Sequence, residues 1–533
     1  FVMHTPATHP ERYECTHLLA EGMRALGIRV REMPLEFSAA TEKQRTSPWD
    51  FDIGTGSWLS TAARLDPDVL LWANYHSSLT GEKGSNYAGW KDNEIDRLLA
   101  LQRTQYDLSE RQKTIFAIEK RVTEIVPTIP LYTLQSVTYY NHERFTNFTV
   151  VAGYDLINQI SIVNIVPKTA DKIIKIAKDE PTEGFSPFNP SAQIDTQLMM
   201  LYGRLAQFTP QMAIVGDQAA SWRAIDDKNI EVKLRPGLKF HDGKPLTAKD
   251  VKFTFEYIKQ YKIPVYAAQV ASIASVEVVN DLTVIFHLTA PTITLYSTTF
   301  TLVPILPEHI WKDITNPLDW NNPTPIGSGP LKMKTWNKGE SIIWEAFKDY
   351  WKPMNIEGAI WVEHLNIESK FLSLKAKNAD AMIEPLSVTL NQEARQLSYL
   401  TEVPLMEVGV PYVMFNMRRL PGSDLAFRKA VAQAYDWEKA AKVIWRGEAI
   451  TGSNMIARTN KYWFNPDSDM SKVYPFNLEK AKKTLADAGY EWDKGQLAYP
   501  KTLVSGSPAP SLGILALPQT YSTTYPQRRE CPD

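Results

Sequence analysis

Cysteine is nearly missing from this 533-residue chain. Cys15 and Cys531 are the only two, too few for a disulfide framework and too far apart in sequence for a metal motif. An excess of charge is missing as well, with 58 Lys and Arg against 60 Asp and Glu and a net charge of −2. Without a dense basic block there is no footprint for a phosphate backbone, so nucleic acid is not an expected partner. No run reaches the ~18 apolar residues that cross a bilayer; the longest candidates, such as Leu302-Val-Pro-Ile-Leu-Pro307, are short and broken by proline. An integral membrane protein is therefore not expected. The chain opens at Phe1 without Met and without a basic stretch followed by an apolar one, so any export signal is expected to lie outside it.

The common enzyme motifs are absent too. The nine histidines form no H-E-x-x-H and no i, i+4 pair, the spacing that sets two imidazoles on one helical face. There is no Walker loop and no G-x-S-x-G elbow, and Gly54-Thr-Gly56-Ser-Trp58 lacks the third glycine of a dinucleotide fingerprint. His241-Asp242 could be a metal-dependent hydrolase pair, but Asp242-Gly243 has the chemistry of a hairpin turn. No catalytic residue, metal ligand or cofactor is expected.

What is present is an ordinary globular composition, 44% hydrophobic, 11% aromatic and 22% charged, in a chain far longer than the ~150 residues of one domain. Residues 10–27 read as an amphipathic helix with a proline at its start. Ile28 to Met33 alternates as a strand, and Trp49 to Ile53 reads as a second strand opening into a Gly/Ser/Thr turn at Gly54 to Ser60. Residues 92–103 and 109–126 have helical periodicity, and Thr128 to Tyr132 returns as a strand. A second region begins with a strand at Lys172 to Ala177, then a helical run from Thr196 to Leu205. In it Thr247-Ala-Lys-Asp250 caps a helix to about Tyr261, and Val276 to Leu288 forms a hairpin turning at Asn280-Asp281. The mixture predicts an α/β protein of at least two lobes. The 497–533 stretch is rich in Pro, Ser and Thr and reads as a loop or frayed tail.

Ala220-Ser-Trp222 and the run from Val232 through His241-Asp-Gly243 to Phe255 closely resemble the signature of the extracellular solute-binding proteins of family 5. These are the oligopeptide, dipeptide and nickel receptors of ABC importers. Gly327-Ser-Gly-Pro330 with Asp349-Tyr-Trp351, Phe415-Asn416, Ser423-Asp424 with Phe427 to Asp436, and the Lys472–Tyr490 region continue the match in the family's order. Residues 1–165 resemble the family's C-terminal part, through Trp49 to Ile53, Asp66-Pro-Asp68, His76-Ser-Ser78, Ser85 to Trp90, Glu94-Ile-Asp96 and Ile129-Pro-Leu-Tyr132. The order is thus inverted, as in a circular permutant or a window on a tandem array. Thr524 to Cys531 echoes Thr8 to Cys15, which favours the tandem reading.

The resemblance implies a two-lobed, periplasmic-binding-protein-like α/β fold that closes on solute by a hinge. Residues 1–133 would be the C-terminal half of lobe II, 134–171 the return to lobe I and the junction, 172–395 lobe I, 396–520 the N-terminal half of lobe II, and 521–533 a tail that begins a repeat. The hinge crossings would be the strands near 128–133 and 395–405. The implied function is capture of a solute, an oligopeptide or dipeptide first, for ABC importer permease subunits in a periplasmic or cell-surface setting. The membrane would be met only through the permease or a lipid anchor. A carbohydrate receptor of the same family, a carbohydrate-active hydrolase, and a miswired fusion product are the competing readings.

By position in the family, Thr55, Gly56, Ser57 and Trp58 match a cleft strand end. Phe185, Phe188, Asn189 and Gln193 fall in the first cleft loop, and Tyr132 and Asn416 at strand ends near the hinge. Packing in the core is nearly as good an account of Trp58, and a better one of Tyr132 and Asn416. Peptide receptors of the family commonly carry an Asp about three residues beyond that Trp, to pair with the peptide ammonium; Thr61 stands there instead. Asp66 could substitute if its loop folds back, but Asp66-Pro-Asp68 reads more simply as a turn. A neutral solute gains weight accordingly.

Overall fold

The computed structural model describes residues 1–7, 9–179, 181–188 and 195–500. Asn189, Gln193 and the 521–533 tail lie outside the described residues, as do Thr8 and Thr524 to Cys531 of the terminal echo. Of the 497–533 stretch read as a loose tail, Leu497 and Ala498 belong to the strand Gln496–Ala498, paired with Glu491–Asp493, and residues 501–533 lie outside the described residues.

Two sheets organise the molecule. The smaller runs Arg31–Leu35, Val2–Pro6, Ile53–Trp58, Val410–Phe415 and Thr128–Pro130. Its first three strands are parallel, with helix Pro10–Ala25 connecting the first pair as a β-α-β unit. Val410–Phe415 then runs antiparallel to both its neighbours, with Val413 opposite Thr55 and Ile129. All six of its residues are buried. Successive side chains point to opposite faces of a strand, so Val413 and Phe415 enter one core with Met3, Leu19 and Phe427, while Tyr412 and Met414 enter another with Leu71, Leu99 and Ile118.

The larger sheet has seven strands in the order Leu331–Asn337, Ser341–Ala346, Gly358–Glu363, Ile173–Lys178, Ala381–Met382, Val137–Asn141 and Leu400–Pro404. A four-stranded antiparallel sheet, Ala219–Asp226, Asn229–Leu234, Thr283–Leu288 and Ile273–Asn280, shares its core. Helix Ala248–Gln260 packs there, closed by the expected capping box: the Thr247 hydroxyl accepts the Lys249 amide, and Asp250 accepts the Thr247 amide at 2.9 Å. The family-signature histidine is an internal staple. His241 Nδ1 accepts the Gly327 amide at 3.2 Å and Nε2–H donates to the Gly329 carbonyl at 3.0 Å. Burial pushes its pKa down to about 4, which keeps it in the neutral form that this pair of bonds needs.

Two sequence expectations shift. The Gly54 to Ser60 turn is a strand, Ile53–Trp58, whereas Trp49 to Phe51 lies outside any strand. Glycine here serves packing: a Cβ on Gly56 would stand 2.4 Å from the Tyr412 ring across the ladder, so the glycine makes room for a cross-strand tyrosine. The second crossing also moves. Leu400–Pro404 belongs to the seven-stranded sheet, so the chain passes between the sheets at 405–409, beyond the 395/396 boundary. The first crossing follows Thr128–Pro130 and reaches Val137–Asn141. Among the described residues no helix is long and apolar enough to cross a membrane.

Candidate functional site

Where the two crossings run side by side, joined by the Leu405 amide on the Ser136 carbonyl at 2.9 Å, the chain lines a half-open cavity of about 220 Å³. Ser60 and Thr61 reach it from just beyond Ile53–Trp58 in the smaller sheet. Ile383 to Pro385 reach it from just beyond Ala381–Met382 in the larger sheet. Leu405 to Glu407 come from the second crossing, Gly153 to Asp155 from the segment before helix Gln159–Asn164, and Thr196 and Met199 from helix Asp195–Leu201. Strand ends of both sheets therefore meet at one hollow, the usual place for a ligand in such folds.

Local geometry fixes the walls. Gly153 has φ +71°, and a Cβ there would stand 2.7 Å from the Thr61 backbone, so only glycine lets the two segments touch. Its amide donates to the Met406 carbonyl at 3.0 Å, while the Ser60 hydroxyl accepts the Val408 amide at 2.9 Å. Glu384 is a non-glycine residue at φ 68°, a strained conformation that persists where surroundings over-determine it. Those surroundings are visible. The Glu384 amide donates to Asp155 at 2.7 Å, and the buried Lys370 ammonium donates to the carbonyls of Ile383 and Glu384 and to Asp179 at 3.0, 3.2 and 2.7 Å. Burial pushes the Asp155 carboxyl up to about 6, with the Glu384 amide working against the rise.

Of the residues expected at the site, Thr61 lines the cavity. Thr55, Gly56, Ser57 and Trp58 sit in the strand that leads to it, half-buried and paired with Val410 to Val413; the Arg64 guanidinium lies 5.1 Å from the Trp58 ring centre. Asp66 has another task. It forms a two-bond pair with Arg111 at 2.6 and 2.9 Å, the two side chains 1% and 2% exposed. It also takes the Ser297 hydroxyl and the Asp68 amide and caps helix Pro67–Tyr75. Burial pushes the Asp66 carboxyl up, and Arg111 more than offsets it, leaving it below the ordinary range. Tyr132 is buried against Trp445, ring centres 4.7 Å apart. Phe185 and Phe188 are core residues packed edge-on to Trp336 and Trp311. Asn416 is buried and donates to the Trp49 and Phe51 carbonyls.

Reading the sequence missed Asp155, Glu384 and Glu407. Each arrives from a different segment, so no local spacing joins them. A usable signal existed at two of them: Asp155 and Glu384 each interrupt an apolar run, Val150 to Ile157 and Ala381 to Leu386, and an acid in such a run needs a reason.

Residues 213–530, more than half of the chain, match the model described as bacterial extracellular solute-binding proteins, family 5 Middle. The chain is 26% identical over 370 residues to the dipeptide-binding protein of Escherichia coli strain K12, which covers 64% of this chain and 66% of that protein. It is 28% identical over 308 residues to the oligopeptide-binding protein AppA of Bacillus subtilis strain 168, covering 56% and 55%. The matched part thus spans less than two thirds of either relative. A crystal structure of the ABC transporter substrate-binding protein CtaP of Listeria monocytogenes superposes with a TM-score of 0.50 at 22% identity, over 62% of this chain and 67% of that one, a likeness of fold.

Proposed function

Taking as premise that the chain belongs to the bacterial extracellular solute-binding proteins of family 5, we propose that it is a receptor that captures a short peptide between its two lobes and delivers it to the permease subunits of an ABC importer. The periplasm or the cell surface is the setting that goes with this role. The observation that carries the reading is the cavity at the crossings, walled by strand ends from both sheets. Segments that bridge two lobes are the ones that absorb a hinge closure, so a solute held there senses both lobes at once. Thr61, Glu384 and Glu407 are the contact residues we assign. At about 220 Å³ the hollow is smaller than the ~300–1,000 Å³ of drug-sized pockets, which favours a dipeptide-sized solute over a long peptide.

Thermal unfolding of the purified chain with and without a mixed di- and tripeptide pool tests this, followed by mass spectrometry of whatever co-purifies. A peptide at a hundred times its Kd adds about 2.7 kcal/mol to the native state and raises the melting temperature. A transition indifferent to every peptide overturns the reading. One observation favours a second reading, a carbohydrate-active hydrolase: the raised Asp155 carboxyl lines the same cavity as Glu384 and Glu407. Release of reducing sugar from an oligosaccharide panel would decide for it.

We also propose that the chain runs in permuted or tandem order, 1–133 completing the lobe that contains 410–500. The pairing of Ile53–Trp58 with Val410–Phe415 supports this. A chain rebuilt as 172–500 followed by 1–165 should unfold cooperatively and bind the same peptides; a loss of binding or a broad transition counts against it.

A further inference from the structure

Asp66, Arg103 and Tyr106 belong to the body built on the five-stranded sheet, where helices Pro67–Tyr75 and Asn93–Arg103 pack through Leu70, Leu71 and Leu99. Asp227, Ile293 and Ser297 belong to the other body, where Phe286, Leu295 and Phe300 share the large core. The two bodies also meet away from the crossings. The Ser297 hydroxyl donates to Asp66, the Ile293 amide to the Arg103 carbonyl at 2.8 Å, and the Tyr106 hydroxyl to the Asp227 carbonyl at 3.2 Å. The rings of Tyr106 and Tyr296 stand 6.2 Å apart across the same boundary.

Each side of this contact is fixed by its own body. Asp66 is held by its two bonds to Arg111. Arg103 is held by two bonds to Asp68 at 2.7 and 2.8 Å and by the Trp72 ring, whose centre lies 3.3 Å from the guanidinium. Opposite them, Ser297 lies in the wide π turn Leu295–Thr299, an irregularity that recurs where a helix does more than pack. The Thr301 hydroxyl ties that turn to its own Ser297 carbonyl at 2.6 Å, and the Thr299 hydroxyl ties it to the Gln269 carbonyl at 2.7 Å. The Ser297 hydroxyl also stands 3.5 Å from the Thr294 carbonyl, a partner within its own segment once Asp66 moves away.

The contact lies on the cavity's side of the crossings. A second, much smaller hollow shares Tyr154 and Met199 with the cavity and reaches Thr301. Because the groups that meet belong to different bodies, a hinge rotation that parts Thr61 from Ile383 also parts these pairs. Bonds made in one arrangement favour it over every arrangement that lacks them.

We infer that Asp66, Arg103 and Tyr106 form a latch with Ser297, Ile293 and Asp227, which holds the two lobes in the closed arrangement and sets how fast a solute leaves. The part concerning release rests on the receptor reading; the latch itself can be measured without any solute.

Hydrogen exchange at the Ile293 amide of the full chain, resolved to single residues by mass spectrometry, reads the boundary directly. That amide should be protected in the wild type. Tyr106→Phe, which keeps the ring and removes one oxygen, and Ser297→Ala should each speed its exchange about fivefold, the effect of one hydrogen bond, and the double variant by more than either. Thr247→Ala, which weakens a helix inside one body, should leave it unchanged. Release of alanyl-phenylalanine from the immobilised chain should speed by the same factors. An Ile293 amide that exchanges freely in the wild type, or at the wild-type rate in the double variant, overturns the latch and leaves a peptide receptor intact. Faster exchange with an unchanged release rate overturns the role in release. A dipeptide that does not bind counts against the receptor reading, and exchange alone then upholds or overturns the latch.

Discussion

In the four-stranded sheet all the strands lie between Ala219 and Leu288, and each pairs antiparallel with a near neighbour in sequence. In the five-stranded sheet Val410–Phe415 pairs with Ile53–Trp58, and the Asp52–Arg419 ion pair beside it joins residues 367 apart. Local pairings close small loops, whereas distant ones must order a long chain before any contact compensates. The first sheet can therefore form from its own segment, and the second waits for Val410–Phe415 to meet strands far earlier in the chain. Under partial denaturation, hydrogen exchange should show the five-stranded sheet opening first, with amides of 219–288 still protected. Simultaneous opening would erase the contrast.

The largest single effect is expected at Asp66. Asp66→Ala leaves Arg111 buried without its counter-charge and frees Ser297, at about 3–5 kcal/mol; an unfolding free energy from urea titration that falls by less than about a third of that would mean that water or a rearranged side chain rescues the site. Next comes pH. His241 has a folded-state pKa of about 4 against 6.5 when exposed. The unfolded chain binds this proton first, so the stability contribution is full above 6.5 and is lost as pH falls toward 4, by about 3 kcal/mol. Asp155 acts in the opposite sense: pushed up to about 6, it favours the folded state below 3.8 and loses that contribution as pH rises through 6. Denaturation midpoints of the wild type and of Asp155→Asn across pH 4 to 7 separate the two, the variant showing the steeper rise with pH.

Smaller effects sharpen the same contrast. Gly56→Ala forces the Tyr412 ring aside and should cost about 1–3 kcal/mol as an overpacking change, with faster exchange confined to the five-stranded sheet. Thr247→Ala removes a cap worth about 1 kcal/mol, and its effect should appear in helix Ala248–Gln260 alone. Exchange spreading from Thr247→Ala into 410–415 would show that the two regions are coupled after all.

What could be read from the sequence follows the same division. The Val276 to Leu288 hairpin and the Thr247 cap were legible because their signals are carried by neighbouring residues: alternation, a turn pair, a hydroxyl three positions before an acid. Gly54 to Ser60 reads as a turn from the sequence because the two glycines of the strand Ile53–Trp58 answer to Gln44, Met414 and Tyr412, none of which is near them in sequence. The crossing at 405–409 was set early because Leu400–Pro404 is held by Val137–Asn141 rather than by any pattern of its own. Asp66 reads from the sequence as a ligand group or part of a turn, whereas it caps helix Pro67–Tyr75, and its partner Arg111 lies beyond any local window. The cavity acids are the extreme case, since convergence is a property of the folded chain.

The fit of Gly56 under Tyr412 has a meaning for inheritance as well as for packing. The two positions share one volume, so neither is free to change alone: a side chain gained at 56 has to be matched by one lost at 412. Among descendants of this sequence the pair should drift together, glycine opposite tyrosine or a larger residue opposite a smaller one. In an alignment deep enough to resolve it, that correlation would mark the seam where two distant segments, Ile53–Trp58 and Val410–Phe415, are sewn into one sheet.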